Sequence, residues 1–180
     1  MKLERLTGEE TLARAAELIE IYSIAFSGPP WYEDGYGTAD FAKRLTADVR
    51  RPGFTAVLAT HDGNPAGFGT AWPTQAPFPA GRAYDRVRLD LGDQAEKCLV
   101  GALEVDELAV SPHARRQGLA GRILDLLCED ATDCWLLTAP RAQDAIRLYE
   151  RLGWQRLTGP EANVVVFIRS QDGVRQHHRL

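Results

Sequence analysis

The sequence predicts a protein of the α/β (α+β) class with about seven strands and about four helices. Segments with a two-residue apolar repeat and segments with a 3.6-residue repeat alternate along its 180 residues. Apolar residues make up 44% of the chain and charged residues 26%, as in ordinary globular proteins. A chain of this length can bury one sizeable core. We therefore expect a single domain over residues 1–170, followed by a polar C-terminal tail, 171–180.

The first half predicts one strand, two helices and a hairpin. Thr7 and Glu10 form a capping-box pattern that opens the first helix, and Gly28-Pro29-Pro30 ends it. The turn residues 61–64 join two strands into a hairpin. The expected buried face of the first helix is Leu12, Ala15, Ile19, Tyr22 and Phe26. The elements are a strand at 3–6, a helix from Thr7 to about Phe26, a helix after Thr38 ending near Arg51, and strands at 54–60 and 66–72.

The second half predicts a longer strand followed by helix, strand, helix and a final hairpin. Residues 73–97 show no clear period, and a connection of that length is commonly functional, ordered as a small helix, or disordered. We expect it to shape a substrate pocket. The elements are a strand at 99–110, a helix from about Gly118 to Asp130, a strand at 135–138, a helix from after Pro140 to Leu152, and a hairpin of 154–157 and 164–168.

Composition excludes several classes of protein. No apolar run approaches the ~18 residues of a membrane span, and the N-terminus lacks the features of a secretion signal, so we expect a cytoplasmic protein without a membrane partner. The net charge of −4 argues against nucleic-acid binding, which depends on Lys and Arg. Three cysteines without close Cys/His spacing predict reduced thiols and no metal site.

Residues 111–121 carry the strongest chemical pattern. A strand stops at Ser111-Pro112, a loop brings Arg115 and Arg116, and Gly118 with Ala120 opens a helix. Small residues allow close approach to the backbone, and the free amides and dipole of a helix N-terminus favour an anion such as a pyrophosphate. The alternative is an ordinary helix start with two solvated arginines.

These residues resemble a known family. Arg115-x-x-Gly118-x-Ala120 is similar to the R/Q-x-x-G-x-G/A signature of the GNAT acetyltransferases, and residues 107–112 resemble the end of their fourth strand. Residues 145–154 resemble the A-x-x-L-Y-x-x-L-G-F segment that lies downstream in the family, although Ala142 stands where many relatives carry Asn. The resemblance implies the acyl-CoA N-acyltransferase fold, a mixed, mostly antiparallel twisted sheet flanked by helices.

The resemblance also implies a cofactor site and a reaction. The backbone of the fourth strand would pair with the pantetheine arm, and the loop amides would hold the pyrophosphate of acetyl-CoA. The acetyl group would pass directly to a primary amine of a small molecule or peptide, with Tyr149 protonating the departing thiolate. The expected cofactor-binding residues are Leu108, Ala109, Val110, Arg115, Arg116, Gln117, Gly118, Leu119, Ala120 and Gly121.

A base must remove a proton from the amine, which is mostly protonated near neutral pH. Glu104 is the first candidate, since it lies fourteen residues before Gly118, where the resemblance places the base of some relatives. Asp106 and Glu107 stay in reserve, because a bulge would change which strand face each side chain occupies. Each of the three could instead be a solvated or salt-bridged carboxylate.

The acceptor is expected at residues 29–34, which join the first two helices where relatives bind acceptors. Aromatic side chains beside two acids suit a cationic amine, although Trp31 could equally fill the core. The expected acceptor-binding residues are Trp31, Tyr32, Glu33 and Asp34.

Two further readings stay open at the level of sequence. The chain could be a non-catalytic acyl-CoA-binding sensor or regulatory module, although the presence of Glu104 and Tyr149 favours an enzyme. A homodimer is also an expectation, because dimers are common in the resembling family and the final hairpin offers a sheet edge.

Overall fold

The computed structural model of the chain describes residues 1–81 and 83–170, so the predicted polar tail, 171–180, lies outside the described residues. Seven strands form one sheet, as predicted, in the order β1-β2-β3-β4-β5-β7-β6. The β4–β5 pair is parallel, and the β1–β2, β2–β3, β5–β7 and β6–β7 pairs are antiparallel. The strands are β1 Lys2–Leu6, β2 Thr55–His61, β3 Asn64–Pro73, β4 Leu103–Val110, β5 Asp133–Thr138, β6 Gln155–Arg156 and β7 Val165–Ser170.

The described residues contain seven α-helices rather than the four predicted. The first predicted helix is two helices, and two more form in the segment that showed no clear period. None of these helices is long and apolar enough to cross a membrane. The helices are α1 Gly8–Ala13, α2 Ala15–Phe26, α3 Gly35–Asp48, α4 Tyr84–Leu91, α5 Asp93–Leu99, α6 Leu119–Cys128 and α7 Gln143–Arg151, with a short 3-10 turn at Pro112–Ala114.

The first helix breaks at Arg14, whose backbone leaves the helical region with φ −108° and ψ 16°. Its guanidinium is held by Glu4 at 2.9 Å and by Glu17 at 2.7 Å. Because the break ends α1 at Ala13, the inward face of α2 does not continue back to Leu12, and the expectation that Leu12 is buried was wrong: it is 43% exposed. The buried residues of α2 are Leu18, Ile21, Tyr22 and Ala25.

The chain forms two compact units. Unit 1 comprises Met1–Trp72 and Val105–Glu129, and unit 2 comprises Pro73–Glu104 and the chain from Asp130 to the end of the described residues. The prediction of one domain over 1–170 stays a prediction.

In unit 1, α2 and α3 cover one face of the sheet with an apolar core that includes Phe41 and Phe68. On β3, Gly67 and Gly69 make room for α6, as their place in a strand suggested. A Cβ on Gly69 would stand 2.7 Å from Leu127 Cδ1 and 2.9 Å from Ile123 Cγ2. The helix therefore lies directly on strand backbone.

This close packing predicts the effect of one added methyl group. Gly69→Ala should lower the free energy of unfolding by about 1–3 kcal/mol, since the buried Ile123 and Leu127 must move. Gly35→Ala is the control: nothing lies within 4 Å of its added Cβ, and alanine favours the start of α3. Urea unfolding of both variants tests this, and equal stabilities would contradict it.

In unit 2, the segment without a clear period is ordered as α4 and α5. Leu99 ends α5 instead of opening a strand, so the start predicted for β4 was four residues too early. The core surrounds Trp135, whose indole Nε1 donates a hydrogen bond to Thr74 Oγ1 at 2.7 Å. The register of β4 with β5 consists of Leu103↔Cys134 and Glu104↔Trp135. At one end of the sheet order, β6 is only two residues long, and the homodimer stays a prediction.

Candidate active site

The loop before α6 has the geometry of an anion site. Gly118 adopts φ 72° as the N-cap residue of α6 and provides no side chain, so the first helical amides have no side-chain cap. A Cβ at Gly118 would meet nothing within 4 Å, so the space in front of the helix is open. Arg116 also lies in the left-handed region, with φ 60°, and is exposed. An uncapped N-terminus of a ten-residue helix, with open space before it, fits a pyrophosphate.

The two arginines of this loop differ in their contacts: Arg115 binds backbone carbonyls, whereas Arg116 is exposed. Arg115 donates from Nε to Val110 O at 3.2 Å and from Nη2 to Ala25 O at 2.9 Å. It therefore ties the loop to the end of β4 and to α2. Gln117 similarly donates to His113 O at 3.1 Å within the loop. Arg116 remains the arginine whose charge extends from the loop surface.

The predicted cofactor-binding residues fall into two groups by exposure. The buried side chains leave only their backbone groups for a cofactor, which is the role expected of them. Exposed residues are Arg115, Arg116, Gln117 and Gly118; half-buried residues are Leu108, Val110 and Ala120; buried residues are Ala109, Leu119 and Gly121.

A charged cluster surrounds Glu107 in unit 1. Arg44 of α3 places Nη1 and Nη2 each 3.3 Å from Glu107 Oε1, and its Nε lies 3.1 Å from Asp40 Oδ2. The Tyr22 hydroxyl donates to Glu33 Oε2 at 2.6 Å. The Glu107 side chain is 16% exposed and that of Arg44 28%. A sparsely solvated cluster of this kind strongly perturbs the groups within it.

The pKa values in this cluster follow from burial and neighbouring charge. Burial, and then the charge of Asp106, raise the pKa of Glu107 to about 8, against the lowering effect of Arg44. Burial lowers the pKa of Arg44, but the charges of Glu107 and Asp106 outweigh it and raise that pKa. Burial and the hydrogen bond to Glu33 raise the pKa of Tyr22. Glu107 thus changes charge near neutral pH, as proton-transferring groups of active sites do.

Glu104, the first candidate for the base, lies in unit 2 and is 5% exposed. Its Oε2 accepts a hydrogen bond from the Tyr84 hydroxyl at 2.7 Å. The structure therefore places the candidate bases Glu104 and Glu107 in different units with different partners.

Tyr149, the predicted acid, lies on α7 of unit 2 and is 8% exposed. Its ring centroid is 5.5 Å from that of Phe167 and 6.2 Å from that of Trp154. Ala142, where relatives often carry Asn, precedes α7 without a side-chain cap. Both readings of Tyr149, core residue and acid, agree with this placement.

The predicted acceptor residues divide between the cluster and the surface. Glu33 belongs to the Glu107 cluster, and its Oε2 lies 2.6 Å from where a Cβ on Gly37 would stand. Asp34 caps α3 by accepting from the amides of Tyr36 and Gly37 at 2.9 and 3.2 Å. The helix begins at Gly35, four residues earlier than predicted, for this reason.

The two aromatic residues of the acceptor segment also differ. Tyr32 is 71% exposed, whereas Trp31 packs edge-on against Phe26 at 5.8 Å. The segment thus offers both an exposed ring and a packed one.

Sequence analysis missed Arg44, Tyr22 and Tyr84 as site residues. A signal existed for Arg44, because it follows Phe41 by three positions and so borders the apolar stripe of its helix. Tyr22 was expected only as a core residue, and Tyr84 lies in the segment that showed no clear period. Within the described residues, no group of three or more His, Cys, Asp and Glu side chains could hold a metal ion.

Comparisons with known proteins agree with this fold. A sequence model of the Acetyltransferase (GNAT) family matches residues 15–154, and no curated protein sequence matches significantly. A PaiA N-acetyltransferase from Thermoplasma acidophilum, in complex with coenzyme A, superposes with a TM-score of 0.62 at 12% identity, covering 94% of this chain and 99% of that chain.

Two further solved structures are similar. A ribosomal-protein-alanine N-acetyltransferase from Brucella melitensis gives a TM-score of 0.55 at 13% identity, covering 94% of this chain and 99% of that chain. An aminoglycoside N-acetyltransferase in complex with CoA gives 0.58 at 12% identity, covering 88% and 89%. Likeness at these identities concerns the fold, and the predicted fold class is confirmed.

Proposed function

The chain belongs to the GNAT acetyltransferase family, and from that premise we propose that it transfers an acetyl group from acetyl-CoA to a primary amine of a small molecule or peptide. The observation that carries this proposal is the uncapped N-terminus of α6 behind Gly118, with open space in front of it. Loop amides and the helix dipole favour the pyrophosphate there, and Arg116 adds positive charge. The backbone of Leu108 to Val110 would hold the pantetheine arm.

Acetyl-CoA supplies the thioester whose acetyl group is transferred. Three tasks fall to the protein: it holds the acceptor, removes a proton from its ammonium group, and returns a proton to the departing sulfur. Tyr149 is the proposed proton donor. The segment from Trp31 to Asp34 is the proposed acceptor site, and Glu33 favours a cationic amine there. Aminoglycosides, polyamines, amino acids and protein N-termini are the acceptor classes to test.

A thiol-release assay tests the proposal. The purified protein is mixed with acetyl-CoA and each of four amines, kanamycin, spermidine, lysine and a peptide beginning with alanine, beside calorimetry with acetyl-CoA. Turnover on any amine is expected. Tight binding of acetyl-CoA without turnover on an extended panel would support the non-catalytic acyl-CoA-binding module instead, and no binding would defeat the cofactor site.

The role of Tyr149 predicts a separation of turnover from binding. Tyr149→Phe keeps the ring that packs on Phe167 and Trp154 but removes the hydroxyl. We expect kcat to fall by about 100-fold while the Kd for acetyl-CoA stays within about twofold. Steady-state kinetics and calorimetry measure the two effects. An unchanged kcat would leave Tyr149 as a core residue only.

A further inference from the structure

Glu104 and Glu107 of β4 differ in the hydrogen bonds that their carboxylates already accept. Glu104 is 5% exposed, and the Tyr84 hydroxyl donates to its Oε2. Glu107 is more accessible, with 16% of its side chain exposed. Its hydrogen bonds from the described residues, 1–81 and 83–170, both come from Arg44 and both end on Oε1. Oε2 of Glu107 therefore keeps its lone pairs for a new donor, as a general base requires.

We infer that Glu107 accepts the proton of the bound amine and that Arg44 is the positioning residue that holds it for this step. The inference rests on the proposed acetyl transfer and names the base of that same reaction. Arg44 has no contact with the reacting atoms in this scheme, because it acts through Oε1 of Glu107.

Arg44 is itself fixed from two sides. Its Nε pairs with Asp40 one turn earlier on α3, at 3.1 Å. Its Cζ lies 5.8 Å from the centroid of the Phe41 ring, and that ring stacks on Tyr22 with centroids 4.1 Å apart and planes within 2° of parallel. A guanidinium held in this way keeps Oε1 in place and leaves Oε2 directed elsewhere.

The charges around Glu107 suit proton transfer near neutral pH. Burial and the charges of Asp106 and Glu33 raise its pKa, and Arg44 limits the rise to about 8. Without Arg44 the pKa would lie higher still, and the carboxyl would become ionised, and able to accept a proton, only at a more alkaline pH. The titratable and charged groups that act on Glu107 are Asp106 on β4, Arg44 on α3, Tyr22 on α2, and Glu33 between α2 and α3, and Asp40 on α3 pairs with Arg44.

The protons balance as follows. One proton passes from the acceptor ammonium to Glu107 Oε2 and later to solvent. The neutral amine then forms the C–N bond to the acetyl carbon as the C–S bond breaks. The nitrogen loses its second proton to solvent, the thiolate receives a proton from Tyr149, and Tyr149 takes one back from solvent. The products are the N-acetyl amide, CoA thiol and one released proton.

The test is the pH dependence of kcat/KM, measured with the panel amine that turns over fastest. The wild-type protein should show a rise through about pH 8, where Glu107 loses its proton. Glu107→Gln should remove this rise and lower kcat/KM at pH 9 by about 100-fold, whereas Glu104→Gln should keep the rise. Arg44→Met should move the rise upward by about one pH unit or more, and Arg44→Lys should move it back.

A second arginine provides the matched control. Arg51 also pairs with a carboxylate in unit 1, Asp48 at 2.7 Å, and Arg51→Met should leave the pH profile unchanged. A rise that survives Glu107→Gln, or that disappears in Glu104→Gln, would overturn the assignment of the base. A rise that Arg44→Met does not move would overturn the positioning role.

One further measurement and one outcome of the turnover assay distinguish a wrong base from a variant that does not fold and from a protein that does not transfer acetyl groups. Carbon-13 NMR of the wild-type protein with labelled glutamate carboxyls should show one carboxyl titrating near pH 8. This measurement tests the inference even if a variant does not fold. The absence of a carboxyl that titrates near pH 8 would overturn the assignment of Glu107. Lack of turnover on every amine would instead defeat the proposed acetyl transfer, and the assignment with it.

Discussion

Gly118→Asp should abolish binding of acetyl-CoA. The residue has φ 72° at the start of α6, and its added side chain would enter the open space in which we propose the pyrophosphate lies. Two like charges about 4 Å apart cost about 4 kcal/mol at an effective dielectric constant of 20. We therefore expect calorimetry to show a loss of affinity of at least about 100-fold, equivalent to about 2.8 kcal/mol.

Gly118→Asn is the matched control for this variant. Asparagine has nearly the shape of aspartate, tolerates the left-handed backbone better than most residues, and carries no charge. Its loss of affinity should be much smaller, so the difference between the two variants isolates charge at the loop. Equal affinities of Gly118→Asp and the wild-type protein for acetyl-CoA would defeat the placement of the pyrophosphate.

Glu107 should make the stability of the protein depend strongly on pH. Its pKa is about 8 in the folded chain, above the ordinary value of 4.5 for a glutamate, so the folded state binds the proton more tightly than the unfolded state. The stability from this group is fully present below about pH 4.5 and is lost as pH rises through about 8. The expected decrease in unfolding free energy over that window is on the order of 4 kcal/mol.

Urea unfolding between pH 4.5 and 9 measures this effect as the difference between the wild-type protein and Glu107→Gln, which cannot titrate at this position. Glu20→Gln, at an exposed position of α2, is the control and should follow the wild-type curve. Parallel curves for the wild-type protein and Glu107→Gln would contradict the raised pKa. This measurement needs no substrate and does not depend on the proposed reaction.

Local patterns explain what sequence analysis predicted well. The strand end at Ser111, the loop arginines and Gly118 follow one another within a few residues, so the loop and the start of α6 need little tertiary information. The capping box of Thr7 and Glu10 is present for the same reason. The number of strands followed from equally local alternation and turn residues.

Long-range packing explains what was missed. Arg44 and Glu107 are 63 positions apart, and their pairing exists only because α3 packs against β4. The break at Arg14 depends on Glu4 of β1, which no helical period reveals, and so the exposure of Leu12 was not predicted. The helices α4 and α5, of eight and seven residues, are separated by Gly92 with φ 54°. Each helix is too short to show a clear apolar period in the sequence.

Gly37 lowers the stability of α3 as a helix but leaves room for the side chain of Glu33. Glycine in a helix costs about 1 kcal/mol relative to alanine, yet the carboxylate of Glu33 occupies the space that an alanine methyl group would take. A chain with alanine here would have a stronger helix and a displaced acid. The first turn of α3 is thus less stable by itself than it would be with alanine. The missing Cβ of Gly37 leaves the space in which the Glu33 carboxylate accepts the hydrogen bond of Tyr22.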